Sequence, residues 1–146
     1  MPSTFLTPLE QQQIIAAIKQ AETNTSGEIR VHIEPKGKSD PVERAKEVFA
    51  QLGMHQTALH NGVLIYVAYE DHRVAIIGDK GIHAHVGEHF WQSEIDLMTA
   101  HFKRNEYAEG ICAAIAAAGE KLKHHFPFQS DDKDELSNDI SFGGKT

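Results

Sequence analysis

The sequence predicts a three-layer α/β/α sandwich, a mixed sheet with helices on both faces. Three observations carry that reading. An alternating segment, an amphipathic stripe and a wholly apolar segment follow one another between residues 28 and 68, the pattern of two parallel strands joined by a helical crossover. A connector of a few residues then leads to a third strand, which a hairpin makes antiparallel to the second. Helical stripes before and after this unit supply the covering layers.

Each element has its own signature. Thr7-Pro8-Leu9-Glu10 is a helix start, with a capping threonine, proline in the first helical position and glutamate three residues after the cap. Leu9, Ile14, Ile15, Ile18 and Ala21 continue it at helical spacing, and Asn24-Thr25-Ser26-Gly27 ends it. From 28 to 34, Ile29, Val31 and Ile33 alternate with Glu28, Arg30, His32 and Glu34, which predicts a half-buried strand. Asp40-Pro41-Val42-Glu43 repeats the capping signal, and Val42, Ala45, Val48, Phe49 and Leu52 form one stripe before Gly53. Residues 62–68 are apolar and rich in β-branched side chains, so they form a central strand covered on both faces. Arg73 to Ile77 is the third strand, followed by the turn Gly78-Asp79-Lys80-Gly81. A short helical piece spans 82–86, and two longer helices cover 90–102 and 106–124. Residues 1–128 thus make one domain. Residues 129–146 are acidic and polar and are expected to form a mobile, weakly packed tail.

Composition narrows the function. With 14 basic and 21 acidic residues the net charge is −7, which argues against non-specific nucleic-acid binding by phosphate neutralisation. The single cysteine, Cys112, excludes an internal disulfide and a cysteine zinc ribbon. It sits among Ile111, Ala113, Ala114 and Ile115, as an inert core thiol would. The start of the sequence lacks a basic region and an apolar run, and the longest apolar stretches, 63–69 and 111–118, are far below the roughly 20 residues of a spanning helix. A cytoplasmic protein with no direct membrane insertion is expected.

Strand direction makes one geometric prediction. Two parallel strands start at the same end of the sheet, and an antiparallel third finishes there. Glu28, Asn61-Gly62 and Asp79 should therefore meet, with Asp71 at the far end. Two carboxylates and an amide oxygen suit a hard cation, calcium or magnesium. The competing readings are structural: Asp79 as a helix cap, Asn61-Gly62 as turn chemistry, Glu28 paired to Arg30, and Arg30 or Lys80 neutralising the pair. Gly78-Asp79-Lys80-Gly81 also suggests an anion nest of backbone N–H groups.

Two other patterns carry less. His85-Val86-Gly87-Glu88-His89 matches a zinc-peptidase motif, but Gly87 weakens the helix it needs and no third ligand is placed. His83, His85 and His89 remain candidates for adventitious metal binding. No G-x-S-x-G elbow is present, and no nucleophile or general base is identifiable.

The segments Asn61-Gly62-Val63-Leu64-Ile65-Tyr66-Val67-Ala68 and Arg73-Val74-Ala75-Ile76-Ile77-Gly78-Asp79-Lys80-Gly81-Ile82 resemble the TPM domain family, named for thylakoid lumen, photosystem II repair and worm membrane proteins. Ser26-Gly27-Glu28-Ile29-Arg30-Val31, the helix with Ala45, Phe49 and Leu52, Phe90-Trp91 and Tyr107-Ala108-Glu109-Gly110-Ile111 agree. The resemblance covers roughly 9–128 and looks like the short, stand-alone bacterial branch. It implies an α/β/α sandwich, divalent-cation binding near strand ends in several members, and acid phosphatase activity in some plant members. A divalent-cation-binding, non-catalytic module with an unidentified protein partner is the expected function. A metal-dependent hydrolase of small phosphomonoesters is the alternative.

Overall fold

The computed structural model describes residues 5–37, 40–57, 60–83, 89–127 and 138–143. Helix α1 (Pro8–Glu22) leads to β1 (Glu28–Glu34), α2 (Pro41–Gln51), a 3-10 turn (Met54–Gln56) and β2 (Gly62–Ala68). Then come β3 (Arg73–Gly78), α3 (Lys80–His83), α4 (Gln92–Phe102), α5 (Tyr107–His125) and the two-residue β4 (Ser141–Phe142).

The sheet order is β3-β2-β1-β4. β1 and β2 are parallel from Glu28↔Gly62 to Glu34↔Ala68, and β2 and β3 are antiparallel from Val63↔Gly78 to Ala68↔Arg73. Both directions agree with the sequence. The helix starts do too. Glu10 N–H donates to Thr7 Oγ1 at 3.1 Å while Thr7 N–H donates to Glu10 Oε1 at 2.9 Å, a complete capping box. Val42 N–H donates to Asp40 Oδ1 at 2.9 Å.

The period of two divides the sheet between two cores. Ile29, Val31, Ile33, Val63, Ile65, Val67 and Ile76 face Ile14 and Ile18 of α1, Met98 of α4, and Ile111, Ile115 and Leu122 of α5. On the other face, Leu64, Tyr66, Ala68 and Ala75 pack against Ala45 and Val48 of α2 and against Met54. All seven residues of β2 are buried, as a central strand requires. Leu9 and Val42, counted in the apolar stripes, are exposed instead; the buried contacts of their helices start further along, at Ile14 and Ala45.

Two expectations are corrected. First, β1 is not half-buried. Glu28, His32 and Glu34 on its polar face are buried along with the isoleucines. Second, part of the supposed mobile tail is docked. Ile140 enters the larger core, and Ser141 and Phe142 pair in parallel with His32 and Ile33. The docking accounts for part of the first result, because β4 pairs beside His32 and Ile33 and covers that end of β1. The stretch 128–137 and residues 144–146 lie outside the described residues.

Helices α1 and α5 approach closely at Gly119, where an added Cβ would lie 2.7 Å from the Ala21 Cβ and 3.3 Å from its Cα. Neither contact is the flexible end of a side chain, so a larger residue must push the helices apart. Gly119→Val should lower stability by about 1–3 kcal/mol, the range for overpacking. Urea unfolding measures it, and an unchanged midpoint would mean that the helix pair yields freely.

Candidate functional site

Backbone hydrogen bonds join the strand ends. Glu28 N–H donates to Asn61 O at 3.3 Å, and Asp79 N–H donates to Gly62 O at 2.9 Å. Asn61 and Gly62, at the start of β2, thus hold the start of β1 and the segment after β3. Glu28, Asn61 and Asp79 are 4%, 1% and 7% exposed, so all three polar side chains are buried at this end. Asp71 stands elsewhere, accepting from Gly37 N–H at 3.1 Å beyond the far ends of the strands.

Part of this chemistry is structural. Asn61 Nδ2 donates to Ser26 O at 3.0 Å, strapping the approach to β1, so only its Oδ1 could serve a cation. Asp79 Oδ1 accepts from Lys80 N–H at 2.7 Å, and Asp79 O accepts from Ile82 N–H at 2.9 Å. Asp79 therefore does shape the turn. Its Oδ2 differs: it is buried and has no hydrogen-bond partner among the described residues. The nearest cationic candidate is His60, whose Nδ1 lies 3.4 Å away and is itself buried without a hydrogen bond. Thr57 Oγ1 is a third buried, unpartnered atom in the loop leading to Asn61. His60 and Thr57 escaped the sequence reading; the adjacency of His60 to Asn61-Gly62 was the available signal.

The anion nest is not available. The N–H groups of Lys80, Gly81 and Ile82 are committed to Asp79 Oδ1, to His60 O at 2.8 Å and to Asp79 O. A nest needs those donors free.

A second polar cluster lies at the opposite end of β1, on the face that the alternation leaves to the polar residues. Glu34 Oε1 accepts from His32 Nε2 at 3.0 Å and from Arg44 Nη2 at 2.9 Å. Its Oε2 accepts from Arg44 Nε at 2.9 Å and from the Tyr66 hydroxyl. Four donors saturate the carboxylate, so it has no lone pair left for a cation. Burial alone would raise the Glu34 pKa, but hydrogen bonds from Arg44, Tyr66 and His32 outweigh it and bring it down to about 2. The hydrogen bond to Glu34 holds Arg44 above its ordinary value, and burial with the same carboxylate pushes Tyr66 up. Burial lowers the pKa of His32 despite the neighbouring carboxylate.

Because Glu34 can only accept, His32 Nε2 carries the proton. Neutral His32 Nδ1 then accepts from the Ser141 hydroxyl at 2.9 Å. Ser141, His32 and Glu34 thus have the connectivity of nucleophile, base and orienting acid. The neighbouring Gly143 N–H, which an oxyanion would need, is committed to Ile33 O at 2.9 Å. The chain of bonds holds β4 in place.

Burial, with Glu109 nearby, pushes the Cys112 thiol up, away from nucleophilic reactivity. Trp91 is buried in the core with Phe90 and Phe102 packed against it. His85 and Glu88 of the peptidase motif lie outside the described residues, as does the side chain of His83, while His89 is exposed. Among the described residues no three His, Cys, Asp or Glu side chains form a metal-binding group, and no helix is long and apolar enough to cross a membrane.

Sheet order, crossover and helical layers define an α/β protein with an open, mixed four-stranded sheet. The TPM domain family profile matches residues 2–121, and the chain belongs to that family. It is similar to the solution structure of BA42 protein from the psychrophilic bacterium Bizionia argentinensis, at 45% identity and TM-score 0.90, covering 98% of this chain and 99% of that one. The N-terminal domains of cg2496 protein from Corynebacterium glutamicum (14% identity, TM-score 0.63, 80% and 74% covered) and of a P. gingivalis protein (19%, 0.68, 84% and 80%) share the fold. No protein of curated function matches the sequence.

The Glu34 cluster dictates an acid response. Its folded pKa, about 2, lies below the ordinary 4.5, so its stabilisation is complete above about pH 4.5 and is lost as pH falls towards 2. Glu34→Gln should remove this dependence and lower stability at neutral pH by about 3 kcal/mol, the low end for a broken buried pair because Arg44 is 21% exposed. Urea unfolding of both proteins from pH 7 down to pH 2 tests it. A variant as acid-sensitive as the wild type would acquit Glu34.

Proposed function

We propose that this TPM domain is a divalent-cation-binding interaction module, taking calcium or magnesium at Glu28, Asp79 and Asn61 and working with a protein partner in the cytoplasm. The observation that carries the reading is the buried Asp79 Oδ2 without a hydrogen-bond partner among the described residues. A buried acceptor left without a donor is destabilised by about 1–3 kcal/mol, more if charged. A cation would supply a closer partner than His60 Nδ1, which stands 3.4 Å away without a hydrogen bond among the described residues. Glu28, Asn61 and Asp79 offer oxygens of the kind that calcium and magnesium select, with water to complete the shell and His60 Nδ1 as a nitrogen beside Asp79. Glu28 and Asp79 would carry the charge, and Asn61 would add a carbonyl oxygen. The negative net charge disfavours nucleic acid as the partner.

The alternative is a hydrolase of small phosphomonoesters, for which a bound cation would polarise a phosphoryl oxygen. Two observations set it second. The N–H groups that could have cradled phosphate are occupied. No side chain at this end has the paired nucleophile and base that catalysis requires among the described residues.

A calcium titration followed by amide chemical shifts tests the site. Shifts at residues 28, 61 and 78–82 that vanish in Asp79→Ala are expected. Shifts at 70–72 would move the site to the far end of the sheet, and shifts at 131–135 would mean that the acidic tail alone collects calcium. Phosphate release from a panel of phosphomonoesters by the metal-loaded protein should stay at background. Turnover abolished by Asp79→Ala would replace the module with the hydrolase.

A further inference from the structure

The outer edge of β1 at His32 and Ile33 is filled by a strand of only two residues. Such a strand is too short to hold by ladder bonds alone, so its neighbours decide what fits. Position 140 enters the larger core through Ile140, 9% exposed. Position 141 presents a hydroxyl to His32 Nδ1 at 2.9 Å. Position 142 is not read, since Phe142 is 40% exposed. Position 143 must be glycine: its N–H donates to Ile33 O at 2.9 Å, and an added Cβ would lie 2.6 Å from both Glu34 Oε1 and His32 Nε2. Both atoms belong to the saturated Glu34 cluster, which has no room to yield. The edge is therefore a receptor for an extended segment with an apolar residue, serine, any residue and glycine, in that order.

We propose that this receptor takes the 140–143 segment of a second copy of the chain, so that two molecules exchange their C-terminal strands. The chain's own segment sits there and shows the occupant's chemistry. Ten residues, 128–137, connect Pro127 to Asn138. Extended, they span about 33 Å at roughly 3.3 Å per residue. That is about twice the radius of gyration of roughly 15 Å expected for a domain of this length. The arm is long enough to reach a neighbour. Contacts within one copy and between two copies are identical, so the balance depends only on concentration relative to the effective concentration of the tethered segment, about millimolar. Reciprocal exchange closes the pair, as in other swapped dimers. The expected behaviour is a monomer when dilute and a growing exchanged population towards millimolar concentration.

Two measurements test this. In the first, isotope-labelled wild type is mixed with unlabelled copies of Cys112→Ser, Thr146→Cys carrying a nitroxide at the new cysteine. Broadening of the amides at 32–34 in the labelled copy, rising with concentration to about 1 mM, is expected from the effective concentration. Its absence overturns the exchange. In the second, a synthetic peptide of residues 138–146 is added to full-length Gly143→Val, whose own segment cannot seat. The peptide should shift the amides at 32–34 and bind at least about tenfold more tightly than to wild type, where the tethered segment competes. A folded variant that ignores the peptide overturns the receptor. Peptide binding without nitroxide broadening means that the edge serves a foreign segment, which overturns the second copy as occupant. If Gly143→Val does not fold, the nitroxide experiment decides alone.

Discussion

The parallel register of β1 on β2, from Glu28↔Gly62 to Glu34↔Ala68, places the polar chemistry of this domain. Parallel strands need a crossover, and here the crossover is α2, lying on the sheet face that carries Leu64 and Tyr66. That position lets Arg44 of α2 reach Glu34. The same register puts Tyr66 beside His32, with their rings stacked 6.0 Å apart, and brings the Tyr66 hydroxyl to the same carboxylate. At the other end it sets Gly62 next to Glu28, where the antiparallel β3 delivers Asp79. A slip of one residue would exchange the two faces of β1 and place charges in the larger core.

The Glu34 cluster shows how a buried charge can be tolerated between strands. Desolvation opposes it, and the opposition is met by geometry: Arg44 presents Nε and Nη2 as a fork, one to each oxygen, while His32 and Tyr66 take the remaining lone pairs. Replacement of such a pair by well-packed apolar groups is often neutral, so its value does not lie in net stability alone. Here it joins β1, β2 and α2 directly, and β4 through His32. A wrong pairing of any of them would leave a charge buried without partners. The cluster thus selects one arrangement of four elements.

Local features were legible in the sequence because local physics decides them. The Thr7 and Asp40 caps, the alternation of β1, the apolar run of β2 and the hairpin to β3 each follow from residues a few positions apart. The meeting of the segments that carry Glu28, Asn61 and Asp79 followed from strand direction alone. What escaped depends on contacts between distant parts. The polar face of β1 reads as solvated unless the return of residues 140–143 is known, and an acidic tail with a lone isoleucine and a phenylalanine does not announce a strand. Ile140 anchors it with one buried side chain and a few hydrogen bonds, below what periodicity can detect. The nest at Lys80, Gly81 and Ile82 failed for a related reason: its middle donor is taken by His60 O, across the loop before β2.

The two ends of β1 use carboxylates in opposite ways. Glu34 has every lone pair occupied, so it is fixed and chemically closed. Asp79 keeps one buried oxygen without a donor among the described residues, so its environment is incomplete. Six residue steps along β1 separate the two ends, about 20 Å at roughly 3.3 Å per residue. At that separation two unit charges interact by less than about 1 kcal/mol at an effective dielectric constant of about 20, so charge placed at one end is weakly felt at the other. Mechanical transmission along the strand would require sliding in register, and the interdigitated isoleucines and valines of the larger core oppose that. The closed end can therefore stabilise the sheet and hold β4 whatever charge is placed beside Asp79. The fixed charge thus sits on β1 itself, at Glu34, and the carboxylate with an oxygen unpartnered among the described residues sits off it, on the segment that follows β3.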